Sequence, residues 1–229
     1  MKRTSKILAA AVFGLAATSA LAQEAIRNRA VRIIGNEAPS APADAADAPQ
    51  AAVPMNPPTL TDGEQKADNP SGIRIEILPG EEVTVGAEMA VRISAEKPGY
   101  LVVVDVDSAG HLTQIYPNTQ SLAEKNGALE KANFVTRGKS RMIPDPKDKS
   151  SFQFVAAEPR GVGMVVAILS DKPVQMIDLP DVPAALAGQK PAVEYVRENT
   201  RSLKILPASD GGAIVEPKWS FVTKFYVIK

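Results

Sequence analysis

The chain has 229 residues, with 26 basic and 26 acidic side chains, one histidine and no cysteine. Its length is enough for one domain of ordinary size and additional segments. The lack of cysteine excludes disulfide bonds, thiolate nucleophiles and Cys-ligated metal sites. The single histidine likewise excludes any metal site that needs two histidine ligands.

The first 22 residues have the three-part pattern of a secretory signal peptide. A basic start at residues 2–6 precedes an apolar run at residues 7–17 and the small-residue ending Ala20-Leu21-Ala22. This pattern predicts cleavage after Ala22. The apolar run is too short to span a bilayer, and there is no cysteine to carry a lipid anchor. We therefore expect a periplasmic or secreted protein whose mature chain has no transmembrane segment.

The expected mature chain is mildly acidic. Removal of residues 1–22 leaves 23 basic and 26 acidic residues, which gives a formal charge of −3. Such a protein is poorly suited to neutralise the phosphates of a nucleic acid. We therefore expect no nucleic-acid partner.

Two segments separate the leader from the first clear strand. Residues 23–34 are basic and carry apolar side chains at helical spacing, which leaves open an amphipathic helix for a membrane surface or a partner groove. Twelve residues are marginal for an isolated helix, so a weakly helical tail or an edge strand through residues 30–34 is favoured. Residues 35–72 hold seven prolines and many alanines, a composition typical of a disordered, semi-extended linker.

From residue 73 onward, alternating apolar and polar residues between Pro and Gly positions predict short strands. They lie at residues 73–77, 83–85, 89–93, 100–106, 112–116, 140–143, 152–156, 161–170 and 218–229. Residues 119–139 are expected to form a long connection, and residues 180–206 a helical region with Asp181 as a possible cap. This pattern predicts an Ig-like β-sandwich over residues 73–229, with a small helical insertion before the last strand.

A hairpin at residues 99–118 is expected at the centre of the domain. Residues 100–106 are almost continuously apolar, which is typical of a strand buried on both faces. Residues 107–110 have turn chemistry, and Pro117 ends the second strand because it lacks a backbone N–H. Residues 161–170 repeat the apolar character of the first strand. In the last strand, Phe221 and Thr223 are expected on one face, and Val222 and Tyr226 on the other.

Six short motifs along the chain resemble a bacterial family called domain of unknown function 4384. They occur in order as Pro98-Gly99-Tyr100-Leu101, Asp105-x-Asp107-x-x-Gly110, Tyr116-Pro117-Asn118, Ile143-Pro144, Phe152-x-Phe154-x-x-x-x-Glu158-Pro159-x-Gly161 and Ser170-Asp171-Lys172-Pro173. The resemblance covers roughly residues 83–172. It implies a β-rich domain without a defined activity, found mostly in exported proteins or attached to signalling and protease-like modules. No catalytic residues come with the family.

The residues that could carry chemistry are few. The acids of Asp105-x-Asp107-x-x-Gly110 suggest a calcium loop, but Ala109 and Tyr116 stand where oxygen ligands are needed, so a hairpin turn explains them better. His111 follows that turn and is expected to face solvent. The sequence has no Gly-x-Ser-x-Gly elbow, and Gly161-x-Gly163 opens a strand rather than a helix. We expect no catalytic residue, metal or cofactor.

These patterns favour a non-catalytic exported module that binds a protein or a cell-envelope component. The first alternative is a small-ligand or glycan-binding domain that uses loops around Tyr116-Pro117-Asn118 and residues 119–139. The second is a hydrolase, which would need His111 or a carboxylate pair in a cleft. Tyr116, Asn118 and His111 are the candidate residues of an interaction loop.

Overall fold

The computed structural model describes residues 31–34, 56–61, 65–66, 68–118, 121, 132–146, 153–203 and 216–229. The predicted leader at residues 1–22 and most of the predicted linker lie outside these residues. The strands are β1 (Val31–Ile34), β2 (Arg74–Leu78), β3 (Glu82–Val83), β4 (Glu88–Ser94), β5 (Gly99–Val106), β6 (Leu112–Tyr116), β7 (Phe134–Val135), β8 (Arg141–Ile143), β9 (Gln153–Ala156), β10 (Gly161–Ser170) and β11 (Trp219–Ile228). Helix α1 (Lys190–Ser202) lies between β10 and β11.

The strands form two sheets, which we call the small sheet and the large sheet. The small sheet has the order β1-β9-β4-β2, and β8 also pairs with β4. The large sheet has the order β3-β11-β10-β5-β6, and β7 also pairs with β5. The pairs are antiparallel except for β3 with β11, which is parallel. The prediction of a mainly β fold with one helix before the last strand is confirmed.

The two central strands of the large sheet are buried on both faces. In β5, Val103 packs in the core between the sheets, and its neighbours Val102 and Val104 pack in a second core on the other side. All ten residues of β10 are buried in the same way. We call these sides the sandwich face, against the small sheet, and the helical face, against α1 and residues 171–189. The near-continuous apolar sequence of both strands follows from this two-sided burial.

The β5–β6 hairpin has the predicted strands and turn. Asp107 Oδ1 accepts hydrogen bonds from the backbone N–H groups of Ala109 and His111, both at 2.9 Å. Gly110 has a φ of +96°, which favours glycine, and a Cβ atom at this position would lie 2.1 Å from the carbonyl oxygen of Val182. The residues that suggested a calcium loop therefore form the turn and dock it on the segment that leads to α1.

Helix α1 is shorter than the predicted helical region. Gln189 precedes it in extended conformation, and residues 184–188 form turns instead of an earlier helix. Pro191 lies in the first turn, where its missing N–H costs no helical hydrogen bond. Ala192, Val196 and Thr200 are the buried residues of the helix. Leu203, again extended, ends it before residue 206.

The structure also places residues that precede the expected domain start at Ile73. β1 pairs with β9 at the edge of the small sheet, from Val31 opposite Ala156 to Ile34 opposite Gln153. The edge-strand alternative is therefore confirmed for residues 31–34, and the helical alternative is wrong there. Leu60 packs against the core of the helical face. The packed part of the protein thus begins before Ile73, because distant elements supply the apolar contacts that the local composition lacks.

The long connection expected at residues 119–139 lies mostly outside the described residues. Its last part contains β7, which the sequence analysis did not predict. Gly99 pairs with Val135, and Tyr100 pairs with Phe134, whose ring meets the Tyr100 ring edge-on at 5.1 Å between centroids. A two-residue strand is too short for an alternating pattern to reveal it.

Candidate functional site: a cleft beside the helix

Two of the three residues predicted for an interaction loop are buried. The Tyr116 hydroxyl donates to the carbonyl oxygen of Ala132 at 3.1 Å and accepts from Arg141 Nη1 at 2.7 Å. Burial raises the pKa of Tyr116, and the positive charge of Arg141 partly opposes that rise. The Asn118 side chain donates to the carbonyl oxygen of Ile115 and accepts from the backbone N–H of Ser121. Both side chains therefore stabilise the structure at the end of β6.

His111, the third residue, lies at the opposite end of β6. Its side chain is half exposed, and its Nδ1 atom lies 3.1 Å from Asp107 Oδ2. The histidine thus contacts the same carboxylate that organises the hairpin turn. Since β6 separates His111 from Tyr116 and Asn118, the three residues do not form one surface.

A buried tyrosine–aspartate pair crosses the sandwich face of the large sheet. The Tyr226 hydroxyl donates to Asp105 Oδ1 at 2.8 Å, and both residues are almost completely buried. Burial raises the pKa of Tyr226 well above its ordinary value, and the negative charges of Asp105 and Asp107 add to the rise. The ring fits because β10 has a glycine beside it: a Cβ atom on Gly163 would lie 2.5 Å from Tyr226 Cζ. Because both side chains are buried and bonded to each other, the pair stabilises the fold.

An open cleft of about 250 Å³ lies on the helical face, between α1, β11 and the residues Leu60, Gln65 and Asp68. Its wall is partly apolar and partly charged. The lining residues are Leu60, Gln65, Asp68, Lys190, Val193, Glu194, Arg197, Phe221, Val222 and Thr223. A smaller cleft of about 130 Å³ shares Asp68, Arg197 and Phe221 with it and adds Pro70, Thr200, Arg201 and Trp219. The shared residues make the two clefts neighbours, and we call them together the helix cleft.

Asp68 holds one wall of the helix cleft in place. Its carboxylate is almost fully buried and forms ion pairs with Arg197, at 2.5 Å, and with Arg201 on the next turn of α1. Its backbone carbonyl oxygen accepts a hydrogen bond from the N–H of Phe221 at 2.8 Å. One residue of the predicted linker therefore joins α1 to the start of β11. Arg197 also forms an ion pair with Glu194, so carboxylates contact both of its terminal nitrogens.

Three buried polar atoms around the helix cleft have no hydrogen-bond partner among the described residues. They are Thr223 Oγ1, Arg197 Nε and Trp219 Nε1. Thr223 is 2 % exposed and stands in an otherwise apolar row of β11. Buried polar groups in folded proteins are nearly always paired, so three exceptions around one opening need an explanation. Each of the three can donate a hydrogen bond, but each lies beneath the surface of the cleft and has almost no accessible area of its own.

None of the sequence patterns predicted the helix cleft. Arg197 and Arg201 lie in the predicted helical region at residues 180–206, and Asp68 lies in the predicted linker at residues 35–72. One signal was present in the sequence: Thr223 is the only polar residue in the row Trp219, Phe221, Thr223, Phe225, Val227. A hydroxyl in such a row needs a partner, because this face of the strand is buried.

The described residues contain neither a metal-binding cluster nor a helix that could span a membrane. Within the described ranges, no group of three or more histidine, aspartate or glutamate side chains is placed to hold a metal ion. No helix in the described part of the chain has both the length and the apolar character that crossing a bilayer requires.

Comparison with known proteins finds a family match for one part of the chain. Residues 82–173 match the family described as Domain of unknown function (DUF4384), which confirms the resemblance carried by the six motifs. This range contains β3 to β10 and therefore most of the large sheet. Neither the curated proteins nor the solved structures include a match to the chain. The residues that line the helix cleft lie outside the matched range, on both sides of it.

Proposed function

We propose that this chain, whose residues 82–173 match the DUF4384 family, is a non-catalytic module that binds a protein or another cell-envelope component. The helix cleft is the observation that carries the proposal. It is concave, it combines apolar with charged lining, and buried polar groups without partners surround it. Binding sites characteristically combine a mostly apolar hollow with a few polar groups that fix the orientation of the ligand.

The polar residues of the hairpin support a role in binding rather than catalysis. A general base needs a side chain that is free to take a proton from a substrate. Asp107 instead accepts bonds from the turn it organises, and Asp105 accepts from Tyr226. His111 contacts Asp107 on the surface of the hairpin. Each of these residues therefore has contacts that stabilise the fold.

The N-terminal sequence supports an exported location. Residues 1–22 have the basic, apolar and small-residue regions of a signal peptide. Cell fractionation followed by N-terminal sequencing tests this part of the proposal. The expected product is a periplasmic or secreted chain that begins at Gln23. A cytoplasmic chain that retains Met1 or Lys2 would contradict it.

The binding proposal is tested with the mature chain immobilised and exposed to envelope extract. Val193→Phe places a larger side chain in the cleft and is expected to abolish retention of the bound component. Val85→Phe is the matched control, because Val85 is 40 % exposed and does not line the cleft. The proposal predicts a component retained by the wild type and by V85F but lost with V193F. Equal retention by all three chains, or none by any, would overturn it.

A catalytic role makes a different prediction. The hydrolase alternative requires turnover that disappears in His111→Ala or Asp107→Asn. The binding proposal instead predicts that both variants retain the component captured by the wild type, as long as they remain folded. Turnover lost in H111A would contradict a non-catalytic role.

A small ligand is the second candidate for what the module binds, and the size of the cleft favours it. Small-molecule sites have volumes of roughly 300–1,000 Å³. The larger opening, at about 250 Å³, lies just below that range and suits a compact molecule. Protein–protein interfaces are instead broad and comparatively flat, with about 800 Å² buried on each partner.

A further inference from the structure

We infer that one end of the β-sandwich docks on an anionic lipid bilayer through a group of exposed basic side chains. None of these side chains lines the helix cleft, so the inference goes beyond the proposed function and does not depend on it. It follows from the placement of charge at the two ends of the strands, from the pairing of those charges, and from an exposed aromatic side chain beside them.

The antiparallel pairing of the strands brings particular connections together at each end of the sandwich. Ser170, at the end of β10, lies opposite both Tyr100, near the start of β5, and Trp219, at the start of β11. The Ser220 hydroxyl bonds to Ser71 Oγ, so the connection before β2 lies at the same end. We call this the basic end. The opposite end, where β5 and β11 finish and β10 begins, is called the acidic end.

The two ends carry opposite excesses of charge. The described connections at the basic end are residues 69–74, 95–99, 136–141, 171–174 and 216–219, and those at the acidic end are residues 79–88, 107–112, 157–161, 178–182 and 224–229. The charged residues at the basic end are Arg74, Lys97, Arg137, Lys139, Arg141, Lys172 and Lys218, against Glu96, Asp171 and Glu216. Those at the acidic end, besides His111, are Glu81, Glu82, Glu88, Asp107, Glu158, Asp178 and Asp181, against Arg160, Lys224 and Lys229.

The ion pairs beside the basic end change this excess little. Asp68 pairs with Arg197 and Arg201, which also pair with Glu194 and Glu198 respectively. This network therefore holds three carboxylates and two arginines, and it lowers the positive excess of the neighbouring basic end by one charge.

Ion pairing makes the difference between the ends larger. All three basic side chains of the acidic end are paired, as Lys224 with Glu81, Lys229 with Glu82 and Arg160 with Glu158. At the basic end Arg74 pairs with Glu96 at 2.8 Å, and Arg141 bonds to the Tyr116 hydroxyl. The other five basic side chains are exposed and form no ion pair with any described residue: Lys97, Arg137, Lys139, Lys172 and Lys218. Their charges repel one another, and an anionic partner would relieve that repulsion.

A backbone contact holds three of the five unpaired side chains near one another. The N–H of Gly138 bonds to the carbonyl oxygen of Ala95 at 2.9 Å, which joins the turn after β7 to the connection between β4 and β5. Arg137 and Lys139 flank this glycine, and Lys97 lies two residues after Ala95. The three cations thus come from two connections that the fold fixes side by side.

An exposed aromatic side chain beside these cations favours a bilayer over a small anion. Phe134 is 36 % exposed, lies three residues before Arg137 and contacts the Tyr100 ring edge-on. Surfaces that bind membranes combine basic residues, which attract anionic headgroups, with aromatic or aliphatic residues that enter the interface. The cations are spread over several strand ends instead of lining a hollow, as a small-molecule site would require. The acidic end is repelled by the same bilayer, so the molecule would be oriented on it.

Co-sedimentation with lipid vesicles tests the inference. The mature chain, residues 23–229, is mixed with vesicles of phosphatidylcholine that contain about one third phosphatidylglycerol, and separately with pure phosphatidylcholine vesicles. We expect binding to the anionic vesicles alone, and its loss when the salt is raised from about 0.05 M to about 0.5 M. No binding to the anionic vesicles at low salt, or equal binding to both kinds, would overturn the inference.

Two charge variants connect the binding to one end of the molecule. Replacement of Lys97, Arg137 and Lys139 by glutamine is expected to weaken binding to the anionic vesicles by about 100-fold. The matched control replaces Arg160, Lys224 and Lys229 by glutamine, which removes the same charge from the acidic end, and is expected to weaken binding by less than about threefold. Surface ion pairs contribute little to stability, so both variants are expected to fold, and unfolding curves verify this. Equal weakening in the two folded variants would contradict the assignment to the basic end.

A soluble polyanion and the variant Phe134→Ala separate a bilayer from an acidic polypeptide. F134A is expected to weaken binding to the vesicles by about threefold or more and to leave the binding of poly-glutamate unchanged. Tighter binding of poly-glutamate than of vesicles at equal anion concentration would overturn the bilayer as the partner. V193F is expected to bind vesicles as the wild type does, and its failure to do so when folded would contradict a site separate from the helix cleft. The retention experiment with V193F tests the proposed function alone, so either proposal can fail while the other stands.

Discussion

Both faces of the large sheet are buried, but the helical face is packed less completely than the sandwich face. On the sandwich face, side chains of β5, β10 and β11 meet those of a second sheet, and the core includes Phe154, Ile93 and Tyr226. On the helical face, alternate residues of the same strands meet α1 and segments without regular structure. The helix cleft opens only on this second face. A helix and loops cover a twisted sheet less evenly than another sheet does, so gaps arise on that side.

The polar groups differ between the two faces in the same way. On the sandwich face the buried hydroxyl of Tyr226 bonds to Asp105, and the hydroxyl of Ser220 bonds to Ser71 Oγ at 2.7 Å. On the helical face Thr223, from the same strand, has no partner among the described residues. These two hydroxyls on the sandwich face are thus paired, whereas the Thr223 hydroxyl on the helical face is not. Each prediction below tests this difference, in order of decreasing effect on the free energy of unfolding.

Truncation of one phenylalanine on each face compares how well the two cores are packed. Phe154→Ala leaves a cavity in the closed core and is expected to lower the free energy of unfolding by about 3–5 kcal/mol. Phe221→Ala borders the cleft, where part of the neighbouring space is already open, and is expected to lower it by about 1–3 kcal/mol. Urea denaturation measures both values. Equal losses would show that the helical face is packed as tightly as the sandwich face.

The Tyr226–Asp105 pair is expected to give the next largest effect and a specific dependence on pH. Tyr226→Phe removes the hydroxyl that donates to Asp105 Oδ1, and the expected loss near pH 8 is about 1.5–3 kcal/mol. The folded state raises the pKa of Tyr226 well above its ordinary value. Above about pH 10 the unfolded chain loses this proton while the folded protein retains it, so the wild type loses stability as the pH rises.

The pH dependence distinguishes this variant from an ordinary core mutation. Because Y226F has no phenol at this position, its disadvantage relative to the wild type is expected to shrink between pH 10 and pH 11. Urea denaturation at pH 8 and at pH 11 measures the difference. F154A is the control, since its disadvantage does not involve a proton. A constant difference between the wild type and Y226F across this range would contradict the raised pKa.

A substitution at Gly163 tests how closely the Tyr226 ring packs against β10 on the sandwich face. Gly163→Ala places a Cβ atom 2.5 Å from Tyr226 Cζ, and the ring is held by its hydrogen bond to Asp105. Overpacking of this kind costs about 1–3 kcal/mol. Gly80→Ala is the matched control, because a Cβ atom there would meet no atom within 4 Å. Thermal unfolding of both variants checks the prediction, and a G163A protein as stable as G80A would contradict it.

The contrast between the faces also shows what the sequence could predict. Both central strands and the two faces of β11 followed from the sequence, because continuous or alternating apolar residues directly reflect burial on two sides or one. Asp68 could not be assigned from its Pro-rich surroundings, since its partner Arg197 lies 129 residues further along the chain. Tyr116 and Asn118 were candidates for an interaction loop, but a proline after a strand indicates only where the strand ends. The cleft depends on such long-range contacts, and only Thr223 gave a local sign of it.

The smallest effect, and the one with the opposite sign, is expected at Thr223 itself. Thr223→Val removes a buried hydroxyl that has no partner and keeps the shape of the side chain, so the unliganded protein is expected to gain about 1 kcal/mol. Ser220→Ala, three residues earlier on β11, removes a buried hydroxyl that bonds to Ser71 and is expected to lose about 1 kcal/mol. Urea denaturation of both variants gives the two signs. A loss in T223V would mean that the hydroxyl is already satisfied, by an ordered water for example, and the two faces would then not differ in the pairing of their buried hydroxyls.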